Sequence, residues 1–157
     1  MTTMAAQVQR NGAAELIEQV QYLYLRSIFE PTDNAVRILV EEASGSDRQT
    51  AAHGAASQWL PIAPTKSSRT FELYWKHYVA YLVTDECAGS CGRYEDEQYT
   101  GKILRSYTRS HFLDHLVRDT GGHSSDLRHY KLICLNHLID VASEEPPEIA
   151  VLKAAGQ

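Results

Sequence analysis

The fold turns on one stretch, Thr70-Phe-Glu-Leu-Tyr-Trp-Lys-His-Tyr-Val-Ala-Tyr-Leu-Val-Thr84. Phe71, Leu73, Trp75, His77, Val79, Tyr81 and Val83 occupy alternate positions and so share one face of an extended chain. Glu72, Tyr74, Lys76, Tyr78, Ala80, Leu82 and Thr84 fall on the other. A period of two with aromatic and β-branched enrichment predicts a half-buried antiparallel strand over 70–84. Strands usually run ~5–6 residues, so a bulge or strong bend is expected within it.

Upstream, Ala13, Leu16, Ile17, Val20, Leu23, Tyr24 and Ile28 recur at helical spacing. This predicts a helix over 13–29, with Asn11 as N-cap and Pro31 as stop. Val36, Ile38 and Val40 alternate in a strand over 34–42 that follows the turn Thr32-Asp33-Asn34. Residues 44–58 are small and polar and read as a mobile loop. Residues 59–64 contain two prolines, which restrict an extended segment to a sheet edge.

Downstream, 85–97 is a loop rich in glycine and acid, and 99–107 is extended. Thr108 can cap a helix through Asp119, with Phe112, Leu113, Leu116 and Val117 as its apolar stripe and Gly121-Gly122 as its end. Residues 129–142 fit either period. As a strand, Ile133, Leu135, His137, Ile139 and Val141 share a face; as a helix, Leu132, Leu135, Leu138, Ile139 and Ala142 do. The isoleucines and Val141 favour the strand. Pro146-Pro147 closes it, and 148–157 can add a short helix.

Strands that follow one another, rather than alternating with helices, predict an α+β fold. The expected architecture is an antiparallel sheet of about four to five strands. The N-terminal helix and the helix near 109–119 pack on one of its faces. The domain is expected over 13–149, between a disordered tail at 1–12 and a tail at 150–157.

Composition narrows the function. The 157 residues hold 15 Lys+Arg against 20 Asp+Glu, a net charge of −5, which disfavours generic nucleic-acid binding. No apolar run approaches the ~20 residues of a membrane-spanning helix, so no membrane partner is expected. The N-terminus lacks a basic segment followed by an apolar one, and Cys87, Cys91 and Cys134 cannot all pair. A cytoplasmic protein with free thiols is the expectation.

Cys87 and Cys91, with His111 and His115 four apart on a helix, are the residues that could hold zinc. No convincing second pair completes the set, so neither metal nor cofactor is expected. Cys91 between glycines could act as a nucleophile, but Asp85, Glu86, Glu95, Asp96 and Glu97 would raise its pKa. Trp75, His77 and Tyr81 on the long strand, with His137, could line a pocket for a small molecule or a general base. Tyr74 and Tyr78 point away from the expected core, and a second chain is expected to cover them. Nine tyrosines and the absence of a catalytic constellation favour a non-enzymatic protein-interaction or self-associating module, a homodimer being the simplest form. The alternative is an enzyme or small-molecule-binding domain built on His77 and His137.

Overall fold

The computed structural model describes residues 8–44, 62–89, 95–119, 121 and 126–152. The chain is α+β with antiparallel pairing throughout, but its strands form two sheets rather than one. The first contains β1 (Val8–Gln9), β2 (Tyr22–Phe29), β3 (Val36–Ala43), β4 (Thr70–Trp75) and β10 (Glu148–Leu152), in the order β1-β10-β4-β3-β2. The second contains β5 (Ala80–Asp85), β6 (Gln98–Thr100), β7 (Leu104–Arg109), β8 (Arg128–Ile133) and β9 (His137–Ser143), in the order β5-β9-β8-β7-β6. The helices are α1 (Ala13–Gln19), α2 (Glu86–Gly89) and α3 (His111–Asp119).

The two sheets share one core. Val36, Ile38, Val40, Phe71, Leu73 and Trp75 of the first face Tyr130, Leu132, Ile139 and Val141 of the second. Ala13, Ile17 and Val20 close one side of the same cluster. The Trp75 and Tyr130 rings meet across the gap with centroids 6.0 Å apart.

The stretch 70–84 is therefore not one strand. It ends in the first sheet at Trp75, bends through Lys76–Val79, and resumes in the second sheet as β5. The crossing is pinned on both sides. The Tyr78 N–H donates to the Asn34 carbonyl at 2.7 Å, Val79 N–H to Ala142 at 2.8 Å, and the Ser143 hydroxyl to the His77 carbonyl at 2.7 Å. Phe71 and Trp75 are buried as expected, whereas His77 and Val79 are exposed because the bend carries them outside.

The helix expected over 13–29 stops at Gln19, and 22–29 is strand. The difference arises from a bulge between Leu25 and Ser27. It shifts the alternation by one, so that Leu23 and Leu25 face inward before it and Ile28 after it. The resulting spacing of Val20, Leu23 and Ile28 imitates a helical stripe. Pairing with β3 along the whole segment overrides that local signal.

Three further segments differ from expectation. Residues 99–107 fold into the β6–β7 hairpin, because Gly101 adopts φ +88° and a Cβ there would meet the Leu104 carbonyl oxygen. Residues 129–142 are strand, but as the β8–β9 hairpin with its turn at 134–136. Residues 148–152 form β10 instead of a helix, with Ala150 and Val151 buried against β4. The segments at 34–42 and 109–119 appear as β3 and α3, although Val117 stays exposed and Ser110, not Thr108, caps the helix. Ala63 bridges Ser44 at a sheet margin, while the remainder of the 44–58 loop lies outside the described residues.

Two polar ties join the sheets at their rims. The Glu18 carboxylate, at the end of α1, accepts from the backbone N–H groups of Lys102, Ile103 and Leu104 at 2.7, 3.3 and 2.8 Å. The Asn136 side chain acts as a strand one residue long. Its Oδ1 accepts from the Leu25 N–H at 2.8 Å and its Nδ2 donates to the Leu25 carbonyl at 3.1 Å.

Trp75→Ala should destabilise the protein by about 3–5 kcal/mol in denaturant titration, the cost of a large buried cavity. A pH titration of stability should show a loss on the acid side. Hydrogen bonds from Arg69 (Nε at 2.8 Å, Nη2 at 3.0 Å) hold the Glu42 carboxyl below its ordinary pKa. A carboxylate depressed in the folded state stabilises above its unfolded pKa and loses that contribution as pH falls through the folded one. Arg69→Gln should flatten that acid limb.

Candidate functional site

The residues expected to form a ligand pocket do not converge. His77 lies in the crossing beside Ser143, at one end of β9, and His137 is the first residue of β9. Six positions along a strand separate the two ends by about 20 Å. Trp75 is sealed in the core, and Tyr81 is half-buried with its hydroxyl 3.2 Å from the Glu30 carboxylate.

Tyr74 and Tyr78 find cover within their own chain. The Arg37 guanidinium lies 4.8 Å from the Tyr74 ring centre. The Tyr78 hydroxyl donates to Glu30 at 2.7 Å, and its ring meets Tyr81 edge-on at 5.0 Å. This acceptor carboxylate raises the Tyr78 phenol to about 12. The cover expected from a second chain is thus largely supplied by Arg37 of β3 and by Glu30 just after β2.

Cys91 lies outside the described residues. Cys87 is exposed, and the adjacent Glu86 and Asp85 raise its thiol pKa. Cys134 is buried, and desolvation pushes its thiol up to about 12. Among the described residues, no cluster of three His, Cys, Asp or Glu side chains is arranged to hold a metal ion. His111 instead pairs with Asp96 at 3.0 Å, and His115 with Asp119 at 3.5 Å.

One buried polar cluster was not foreseen. His129 on β8 reaches Asp140 on β9 through Nε2 at 2.7 Å and the Ser110 hydroxyl through Nδ1 at 2.9 Å. Lys131 Nζ also approaches the same Asp140 oxygen at 3.2 Å. Tyr107 stacks on the imidazole at 4.3 Å and Phe112 tilts against it at 5.0 Å. With the Nε2 proton directed to Asp140, Nδ1 accepts the Ser110 hydroxyl proton. Ser110 Oγ then accepts the Leu113 N–H at 3.2 Å, which caps α3.

Serine, histidine and aspartate in series are the components of a hydrolytic relay. Here the serine is 1% exposed and already engaged as the helix cap. The open depressions beside Tyr74, His77 and Glu145, and beside His111 and Arg118, are not lined by Ser110, His129 or Asp140. The cluster ties α3, β8 and β9 together. An aspartate inside the apolar run Leu138-Ile-Asp-Val141 was its signal, since a buried carboxylate requires partners.

Among the described residues, the most exposed large apolar side chain, Leu82, belongs to β5. It is an edge strand paired only with β9 among the described residues. Leu82, Val79 and Val83 in and beside it are 50%, 40% and 39% exposed. Other edges carry the usual protections. The β2 edge has a bulge, the exposed Arg26 and the Asn136 cap, while β1 and β6 have two and three residues. The six residues of β5 contain no proline, no lysine and no bulge. Among the described residues, no helix is long and apolar enough to cross a membrane.

Comparison with protein families, curated proteins and solved structures finds no match for this chain.

Asp140→Ala should cost about 3 kcal/mol, because Lys131 and His129 lose their shared acceptor in a buried site. Ser110→Ala should cost about 1 kcal/mol through the lost cap. Both are read by denaturant titration. Native protein treated with a thiol reagent should leave Cys134 unmodified until denaturant is added.

Proposed function

We propose that this protein is a non-enzymatic interaction module that binds another polypeptide along the free edge of β5. The observation that carries this reading is the contrast among the edges. Among the described edges, β5 combines six residues with exposed aliphatic side chains, and its one charge, Asp85, lies at its end. An added strand would gain the backbone hydrogen bonds on the outer side of β5, and Leu82 and Val83 would supply contacts on the two faces.

The arrangement elsewhere favours binding over turnover. The candidate histidines are apart, and the buried serine is committed to capping α3. Binding here would involve protein, with no nucleic acid, membrane or cofactor required.

The test places a charge on the edge. Leu82→Lys should leave stability within about 0.5 kcal/mol of wild type, as exposed substitutions do. It should also abolish self-association in sedimentation and any capture of a partner from cell extract. Wild-type protein that neither associates nor captures anything, or a variant that does both as well as wild type, would overturn the reading.

A further inference from the structure

Among the described residues, four lysine or arginine side chains are half-buried: Arg37, Arg69, Arg105 and Lys131. Three of them have a carboxylate. Arg37 pairs with Glu72 at 3.5 Å, Arg69 with Glu42 at 2.8 Å and Lys131 with Asp140 at 3.2 Å. Arg105 on β7 has neither an ion pair nor a hydrogen-bond acceptor among the described residues, and its Nε is buried. We propose that Arg105 anchors a small-oxyanion site on the outer face of the second sheet, which takes a phosphate or carboxylate group of a ligand.

Strand pairing sets its place. Leu104 and Ser106 oppose Leu132 and Tyr130 of the core, so Arg105 between them points to the outer face, with Tyr107. Tyr107 stacks on His129 at 4.3 Å, and Tyr99 of β6 leans on Tyr107 at 4.9 Å. This row of rings holds Tyr99 as a shelf, and the Arg105 guanidinium carbon lies 4.4 Å from the Tyr99 ring centre. Tyr99 is exposed and Arg105 half-exposed, so a solute can reach both.

The neighbouring charges leave Arg105 uncompensated. Lys131 stands directly opposite on β8, and like charges so placed repel. Asp140, the acid beyond it, is already shared by Lys131 and His129. The carboxylates that approach the β6–β7 hairpin are committed elsewhere. Glu18 accepts from the backbone N–H groups of Lys102, Ile103 and Leu104. Asp96 pairs with Arg109 and His111, and Glu97 accepts the His111 N–H.

A guanidinium carries five N–H donors and no acceptor and stays charged, so its ligand must supply the acceptors. Its planar fork matches two oxygens of a carboxylate or phosphate. Laid on Tyr99, it is pre-organised and gives up little freedom on binding. One such fork, in a chain of net charge −5, suits a single oxyanion on a small molecule better than a polyanion. The site is three strands from β5 in the order β5-β9-β8-β7-β6 and does not rest on the edge reading.

Nuclear magnetic resonance of the full-length protein tests it. Inorganic phosphate and, in a second arm, acetate replace sodium chloride at constant ionic strength while the Arg105 Nε–H and Tyr99 ring signals are followed. Both signals should shift together and saturate, while the Nε–H signals of Arg37 and Arg69, held by their carboxylates, stay in place. A response to phosphate alone assigns the site to phosphate groups, and a response to acetate assigns it to carboxylates. Arg105→Gln should abolish the saturable Tyr99 shift, and Arg109→Gln should leave it unchanged. A linear drift without saturation, or a Tyr99 shift that persists in Arg105→Gln, overturns the site. Should that variant not fold, the wild-type signals decide alone, and equal shifts at Arg37, Arg69 and Arg105 overturn the proposal.

Discussion

Burial of Trp75 between the two sheets is the constraint on which the rest of this structure depends. The side chain fills the gap against Tyr130, and the backbone immediately beyond it must leave the first sheet. The chain does so in four residues and becomes the edge of the second sheet. Face-to-face packing of the sheets, the exposure of His77 and Val79, and the position of β5 all follow from that crossing. The rims are then closed by side chains that satisfy backbone groups: Glu18 for the β6–β7 turn and Asn136 for the bulged edge of β2. Each tie joins segments more than eighty residues apart in sequence.

Local pattern revealed the elements with uniform alternation. β3 was legible because Val36, Ile38 and Val40 share one buried face, and the inward set of β4 because Phe71, Leu73 and Trp75 do. The antiparallel α+β class followed from the succession of strands. What stayed hidden depended on partners distant in sequence. The bulge at Leu25–Ser27 turned a strand pattern into a helical one, and the exit after Trp75 left the alternation of 70–84 unbroken in sequence while breaking it in space. The turn at 134–136 was concealed by apolar Cys134 and Leu135, whose backbone bonds go to His137 and Leu23.

The site was less legible than the fold. Pairing His77 with His137 assumed two long strands side by side, and their separation along β9 undoes it. Tyr74 and Tyr78 were judged to lack cover because Arg37 and Glu30 are distant in sequence. The Ser110–His129–Asp140 cluster needed the β8–β9 hairpin to be visible. Hydrophobic alternation did identify β5 as strand, but not as an edge, since edge status belongs to the topology. Interaction through β5, as proposed, depends on that topology rather than on the solvent-side tyrosines.

Amide hydrogen exchange across protein concentration tests the account most directly. If β5 is the free edge and its occupant a polypeptide supplied by association, amides within 80–85 exchange faster in dilute protein and gain protection as concentration rises. Amides of β3 and β4, internal to the first sheet, remain equally protected throughout. Protection of β5 that is strong and independent of concentration would show the edge already satisfied within one chain, and would contradict the account.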